Sequence, residues 1–169
     1  LGAGIVTTAA KGDAADAADL EAAIASMARL NRVASEAAQQ AGAHAMTDIT
    51  GFGLLGHASE MAERSGAQLL FRAARLPFLP GARRYAEEWL FPAGTCSNER
   101  FYRGQVQFAS QIPEELRQLL YTPETSGGLL IAVSPDMLPA LQDAFRSAAR
   151  ECWIVGEVTA GSGVAVTAD

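Results

Sequence analysis

The chain has 169 residues, enough for one domain with a buried core and too few to expect two. Apolar residues make up 49% and charged residues 19%, the balance of a soluble globule, and the abundance of Ala points to close-packed helices. A formal net charge of −6 argues against a protein that binds by neutralising nucleic-acid phosphates, while leaving open a phosphate held by backbone amides or a divalent cation.

Cys96 and Cys152 stand far apart with no Cys or His at metal-like spacing, so neither a zinc site nor a disulfide scaffold is indicated. A reducing, cytoplasmic setting is the expectation. No apolar run approaches the roughly 20 residues that span a bilayer. The start, Leu1-Gly2-Ala3-Gly4, has neither an initiator Met nor a charged signal region and reads as the interior of a longer protein.

In chain order, the β-branched run Ile5 to Thr8 predicts a strand that ends at Lys11-Gly12-Asp13. Asp19 suits an N-cap, and Leu20, Ile24, Met27, Leu30 and Ala34 recur at helical spacing up to Gly42, which predicts one long helix. Ala43 to Met46 is a short buried strand. A second helix runs from Leu54 through Met61 and closes at Gly66. Gln68 to Phe71 is a further strand, Pro77 and Pro80 mark a loop, and Ala82 to Leu90 is helical.

Residues 91–111 show no clean period. Pro113 opens a helix to Leu120, Tyr121 to Ser126 is a polar loop, and Leu129 to Val133 is expected as a central strand. Pro135 starts a helix to Arg150, and Trp153 to Val158 and Val164 to Thr167 are two closing strands. The alternation predicts an α+β sandwich-like fold, a mixed β-sheet covered by α-helices.

The segment Thr47-Asp48-Ile49-Thr50-Gly51-Phe52-Gly53 falls between a strand and a helix. It places a carboxylate between two hydroxyls, followed by two glycines. Amides at such a junction can face an anion, glycines let a phosphate approach the main chain, and Asp48 can bind the hard cation that accompanies a nucleotide. The same residues also suit a helix cap or an Asx turn, and spacing alone leaves both readings open.

The run Thr47-Asp48-Ile49-Thr50-Gly51-Phe52-Gly53-Leu54-Leu55-Gly56-His57 is similar, residue after residue, to the signature of selenophosphate synthetases. Related ATP-using families, such as aminoimidazole ribonucleotide synthetase, thiamine monophosphate kinase and a hydrogenase maturation protein, differ at this junction. Three further segments carry the resemblance. Leu1-Gly2-Ala3-Gly4-Ile5 resembles the family's first strand of this domain, Gly94-Thr95-Cys96-Ser97-Asn98 its Gly-Thr-x-x-Asn loop, and Thr125-Ser126-Gly127-Gly128-Leu129-Leu130 its Thr-Ser-Gly-Gly-Leu-Leu turn. Ala3, Ala93 and Thr122 depart from the family's usual Thr, Gly and Asp, and the last leaves the placement of Ser126 and Gly127 less constrained.

The resemblance implies that residues 1–169 are a single C-terminal domain of a protein whose N-terminal, ATP-binding domain lies outside this chain. It implies Mg- and ATP-dependent synthesis of selenophosphate from selenide, ATP and water, with AMP and phosphate released. Asp48 is the expected metal ligand. Thr47, Thr50, Gly51, Gly53, Thr95, Asn98, Ser126 and Gly127 are the expected nucleotide-site residues. The family's reactive Cys or selenocysteine and its essential Lys belong to the N-terminal half, so no catalytic residue is assigned here, and the chain alone is expected to be inactive.

Family enzymes are commonly homodimers, largely through that other half, and no nucleic-acid or membrane partner is implied. The alternative is a non-catalytic interaction or structural module on the same fold. Cys96 and Cys152 read as ordinary thiols, His44 as a residue without a role, and His57 as a partly buried group on the helix that follows the motif. Arg83-Arg84 and Glu87-Glu88 read as i,i+4 pairs on a solvated helix face.

Overall fold

The computed structural model describes residues 1–169. Its first element is a helix, α1 (Ala3–Lys11), where the β-branched run predicts a strand. The physical reason lies far along the chain. The Glu124 carboxylate accepts the Gly2 and Ala3 N–H groups at 2.5 and 2.8 Å, satisfying amides that a helix start leaves unpaired. Thr7 and Thr8 turn their hydroxyls back onto the Ala3 and Gly4 carbonyls, and Ile5, Val6 and Ala9 are buried. Tertiary burial and distant capping here override β-branched propensity.

The predicted long helix is two, α2 (Ala17–Met27) and α3 (Arg32–Gln40). Ile24 and Leu30 lie at the helical spacing of a core face, yet they are 53% and 76% exposed. Asp16 takes the N-cap position in place of Asp19, whose carboxylate instead receives Arg84 and the Tyr85 hydroxyl. At the break, Asn31 Nδ2 donates to the Gly127 carbonyl at 2.9 Å.

Strand β1 (Ala45–Asp48) leads through the motif into α4 (Gly53–Ser65), closed by Gly66 in the left-handed conformation. Then follow β2 (Gln68–Arg72) and α5 (Ala82–Glu87). On α5 the expected Arg–Glu pairs do not form. Arg84 bonds Asp16, Asp19 and the Tyr85 hydroxyl at 2.7, 3.1 and 2.8 Å, and Arg83 lies over the Phe78 ring.

Residues 91–111 contain α6 (Ala93–Tyr102) and β3 (Val106–Phe108). Gly94 to Asn98 is therefore helix where a loop is expected. The chain continues with α7 (Glu114–Tyr121), β4 (Leu129–Ala132), α8 (Leu138–Ser147), β5 (Gly156–Thr159) and β6 (Gly163–Thr167).

The strands form two sheets. One is four-stranded in the order β3-β6-β2-β5, with β2 parallel to β6 and antiparallel to β5, and β3 parallel to β6. The other is the antiparallel pair of β1 and β4, so Leu129 to Ala132 is not a central strand but half of a small ribbon. The architecture is mixed α+β. Helix α4 lies in the main core, where Leu54, Leu55, Ala58 and Met61 share one apolar cluster with Leu69 and Phe71 of β2, Val164 and Val166 of β6, and Leu119 and Leu120 of α7. A smaller cluster packs Ala37, Ala38 and Ala41 with Leu141 and Phe145, against Met46 and Ile131 of the ribbon. This cluster backs the strand that carries the motif.

Candidate functional site

The motif begins on the ribbon, where Thr47 pairs with Leu130 and Asp48 with Leu129. The pairing continues past the strand ends. The Ile49 N–H donates to the Gly128 carbonyl at 3.0 Å, the Gly127 N–H to the Ile49 carbonyl at 2.9 Å, and the Glu124 N–H to the Thr50 carbonyl at 2.8 Å. The loop at 122–128 is thereby laced to the motif from Ile49 to Thr50. Asn98 joins from α6, donating from Nδ2 to the Gly51 carbonyl at 3.0 Å and to the Tyr121 carbonyl at 2.9 Å.

Each of the expected nucleotide-site residues has a defined place. Thr47 is half-buried and donates to the Asp48 carbonyl at 3.2 Å. Thr50 is half-buried, with its hydroxyl 3.1 Å from His57 Nε2. Gly51 is exposed, and a side chain there would meet nothing within 4 Å. Gly53 has φ +68°, and a Cβ there would stand 2.8 Å from the Thr122 and Tyr121 carbonyl oxygens. Gly127 lies against the Ile49 backbone, and Ser126 beside it is half-buried.

Thr95 and Asn98 do not face solvent. Thr95 is fully buried, with its hydroxyl 3.1 Å from that of Thr122, which in turn donates to the Gln118 carbonyl at 3.0 Å. These two α6 side chains hold the loops, and any ligand would meet the loops they hold. Thr122 shows how the chain manages without an acid at that position. Its hydroxyl serves both α6 and the end of α7, which keeps the turn into Pro123 in place.

Asp48 differs from its neighbours. It is exposed at the end of β1, and no ion pair or side-chain hydrogen bond reaches its carboxylate. No three acidic, His or Cys side chains gather into a metal-binding group anywhere in the chain. The hard-cation chemistry available here is thus one free carboxylate, three residues before an open glycine. That matches how Mg²⁺ is commonly held, by one or two carboxylates together with phosphate oxygens and water.

Three contributors lie outside the residues expected from sequence. His57, 9% exposed, accepts the Phe52 N–H at 3.4 Å and stacks against the Phe52 ring at 5.4 Å. Glu124, 3% exposed, joins the start of α1 to Thr50. Burial pushes its carboxyl above the ordinary range, against the opposing pull of the two amides it accepts. Tyr102 donates to Glu60 Oε1 at 3.2 Å, and burial followed by the Glu60 charge raises its phenol to about 12. For Glu124 the available signal was a carboxylate inside a turn between Pro123 and Thr125, which composition alone cannot distinguish from a solvated one.

Residues 1–169 match the model of the family described as AIR synthase related protein, C-terminal domain. The chain belongs to that family. Among curated relatives, this AIR synthase related domain is 44% identical over 158 residues to the selenide, water dikinase of Desulfitobacterium hafniense strain Y51, covering 94% of the chain and 46% of the relative. To the selenide, water dikinase of Paraburkholderia xenovorans strain LB400 it is 39% identical over 164 residues, covering 96% of the chain and 46% of the relative. The domain spans about half the length of these relatives.

Among solved structures, thiamine-monophosphate kinase from Stenotrophomonas maltophilia K279a aligns with a TM-score of 0.66 at 20% identity, over 98% of the domain and 47% of that protein. This last likeness is one of fold. The mixed α+β architecture is accordingly that of AIR synthase related proteins, and the four segments that carry the sequence resemblance converge within it. Leu1 to Ile5, the motif, the start of α6 and the Thr125 turn meet through Glu124, Asn98 and Ile49.

Proposed function

We propose that the chain is the C-terminal half of a selenide, water dikinase, and that it contributes one metal ligand and a nucleotide-facing loop to a site completed by an N-terminal half. The reaction is Mg-dependent conversion of selenide, ATP and water to selenophosphate, AMP and phosphate. The observation that carries this reading is the free Asp48 carboxylate, on a loop whose carbonyls at Ile49, Thr50 and Gly51 are all bound from other elements. A carboxylate kept exposed on so firmly held a backbone is preorganised to receive a ligand.

In this reading Asp48 holds the cation, which offsets charge on the phosphates during transfer. Gly51 gives the nucleotide close access to the main chain, while Gly53, Thr95, Asn98 and Gly127 shape the loops, and Thr47, Thr50 and Ser126 line the approach. The curated relatives named selenide, water dikinase support the substrate assignment, and their doubled length supports a second half. Phe52 in the motif, 46% exposed, and Phe101 on α6 against Tyr102, 75% exposed, suit a surface that the other half covers. The parent protein is expected to act in the cytoplasm as a homodimer.

The test is phosphorus NMR of product formation from ATP, Mg²⁺ and selenide by the full-length gene product and by the 169-residue chain. Selenophosphate from the former and none from the latter is expected. Turnover by the chain alone, or none by the full-length protein, contradicts the reading.

A further inference from the structure

One hydrogen bond and one nearby carboxylate point to the nitrogen of His57 that carries the proton. The Phe52 N–H is directed at Nε2, where a lone pair has to stand to receive it. On the other side of the ring, Nδ1 lies 3.9 Å from Glu60 Oε2, which favours a proton on Nδ1. Glu60 is itself steadied by the Tyr102 hydroxyl at Oε1. The ring is held in this orientation by burial and by the tilted contact with Phe52.

With Nδ1 protonated, Nε2 of the neutral ring accepts only, through one lone pair shared between the Phe52 N–H at 3.4 Å and the Thr50 hydroxyl at 3.1 Å, so the hydroxyl is the donor of the shorter contact. A hydroxyl has one proton, and Thr50 spends it inward. What remains on the outward side of Oγ1 is lone pairs. We propose that His57 is a positioning residue that fixes Thr50 as a hydrogen-bond acceptor toward any ligand at the motif. Thr50, two residues after Asp48, then receives a donor, such as water on a divalent cation, and does not donate to a phosphate oxygen. This sharpens the functional reading above, and only its kinetic test rests on that reading.

The direct test is long-range proton–nitrogen correlation of the imidazole rings in the 169-residue chain, at a pH well above the imidazole range. His44, exposed and without a side-chain partner, serves as the internal reference. A proton on His57 Nδ1, and a shift of its Nε2 resonance in Thr50→Val, are expected. A proton on Nε2, or an Nε2 resonance unmoved by Thr50→Val, overturns the proposal.

The kinetic test uses the full-length protein. His57→Phe keeps a ring against Phe52 without an acceptor, and a rise of about tenfold in KM for Mg-ATP is expected, with the melting temperature within a few degrees. His57→Gln, whose amide oxygen can take the Thr50 proton, recovers most of that loss. Equal KM in wild type and His57→Phe contradicts the proposal. A wild type without turnover removes the functional reading instead, and the ring spectra then decide the role of His57 by themselves.

Discussion

Gly51 and Gly53 stand two residues apart in one motif and answer to different requirements. Gly53 sits at φ +68° against the carbonyls of Tyr121 and Thr122, so a methyl group there meets both backbone strain and a wall. Gly51 has neither constraint. Gly53→Ala is expected to cost about 2 kcal/mol or more in denaturant unfolding. Gly51→Ala is expected to stay within about 0.5 kcal/mol of wild type, with any defect appearing in Mg-ATP binding by the full-length protein. Asn98 gives a second contrast at this scale. Asn98→Ala leaves two loop carbonyls without a donor, a loss of about 1–3 kcal/mol, and Asn98→Asp is expected to be worse because it sets a negative charge against the same two oxygens. Chemical denaturation of the three proteins ranks them directly.

At the scale of elements, α1 depends on a carboxylate more than a hundred residues away, and this gives its stability a pH signature. The folded Glu124 carboxyl titrates above its unfolded counterpart because burial disfavours the charge. Above about pH 4.3 the unfolded chain gives up that proton first, so the folded state holds more protons and this group's contribution falls as pH rises toward the folded value. Glu124→Gln is expected to flatten this part of the stability profile above about pH 4.3, measured by urea unfolding at several pH values. A slope of the same size in both proteins contradicts the assignment.

The elements also show what was legible beforehand. The helix after the motif, its Gly66 stop and strand β2 followed from local period and capping, and the motif's strand-to-helix placement followed with them. Ile5 to Thr8 did not, because its helical state is set by Glu124 and by burial. Helix α6 was hidden because its inward stripe, Thr95, Asn98 and Tyr102, has helical spacing but largely polar chemistry, so hydropathy does not reveal it. The break between α2 and α3 was equally silent, since the reach of Asn31 to Gly127 is a contact between distant segments. Asp48 was legible as a candidate; its freedom from partners was not.

At the scale of the whole molecule, the chain is an α+β domain whose motif carries the unpartnered Asp48 carboxylate and the exposed Phe52 ring, and it spans about half the length of its curated relatives. The proposed half-site gives a clear expectation for single substitutions in the full-length protein. Because the Asp48 carboxylate has no partner in the fold, Asp48→Asn should fold with an unchanged melting temperature and lose Mg-dependent function. The decisive measurement is selenide-dependent ATP turnover of the full-length protein with and without that substitution, across a magnesium titration. A loss of about a hundredfold or more in kcat/KM, eased in part by raised magnesium, is the predicted result. Turnover and magnesium dependence equal to wild type would contradict the account.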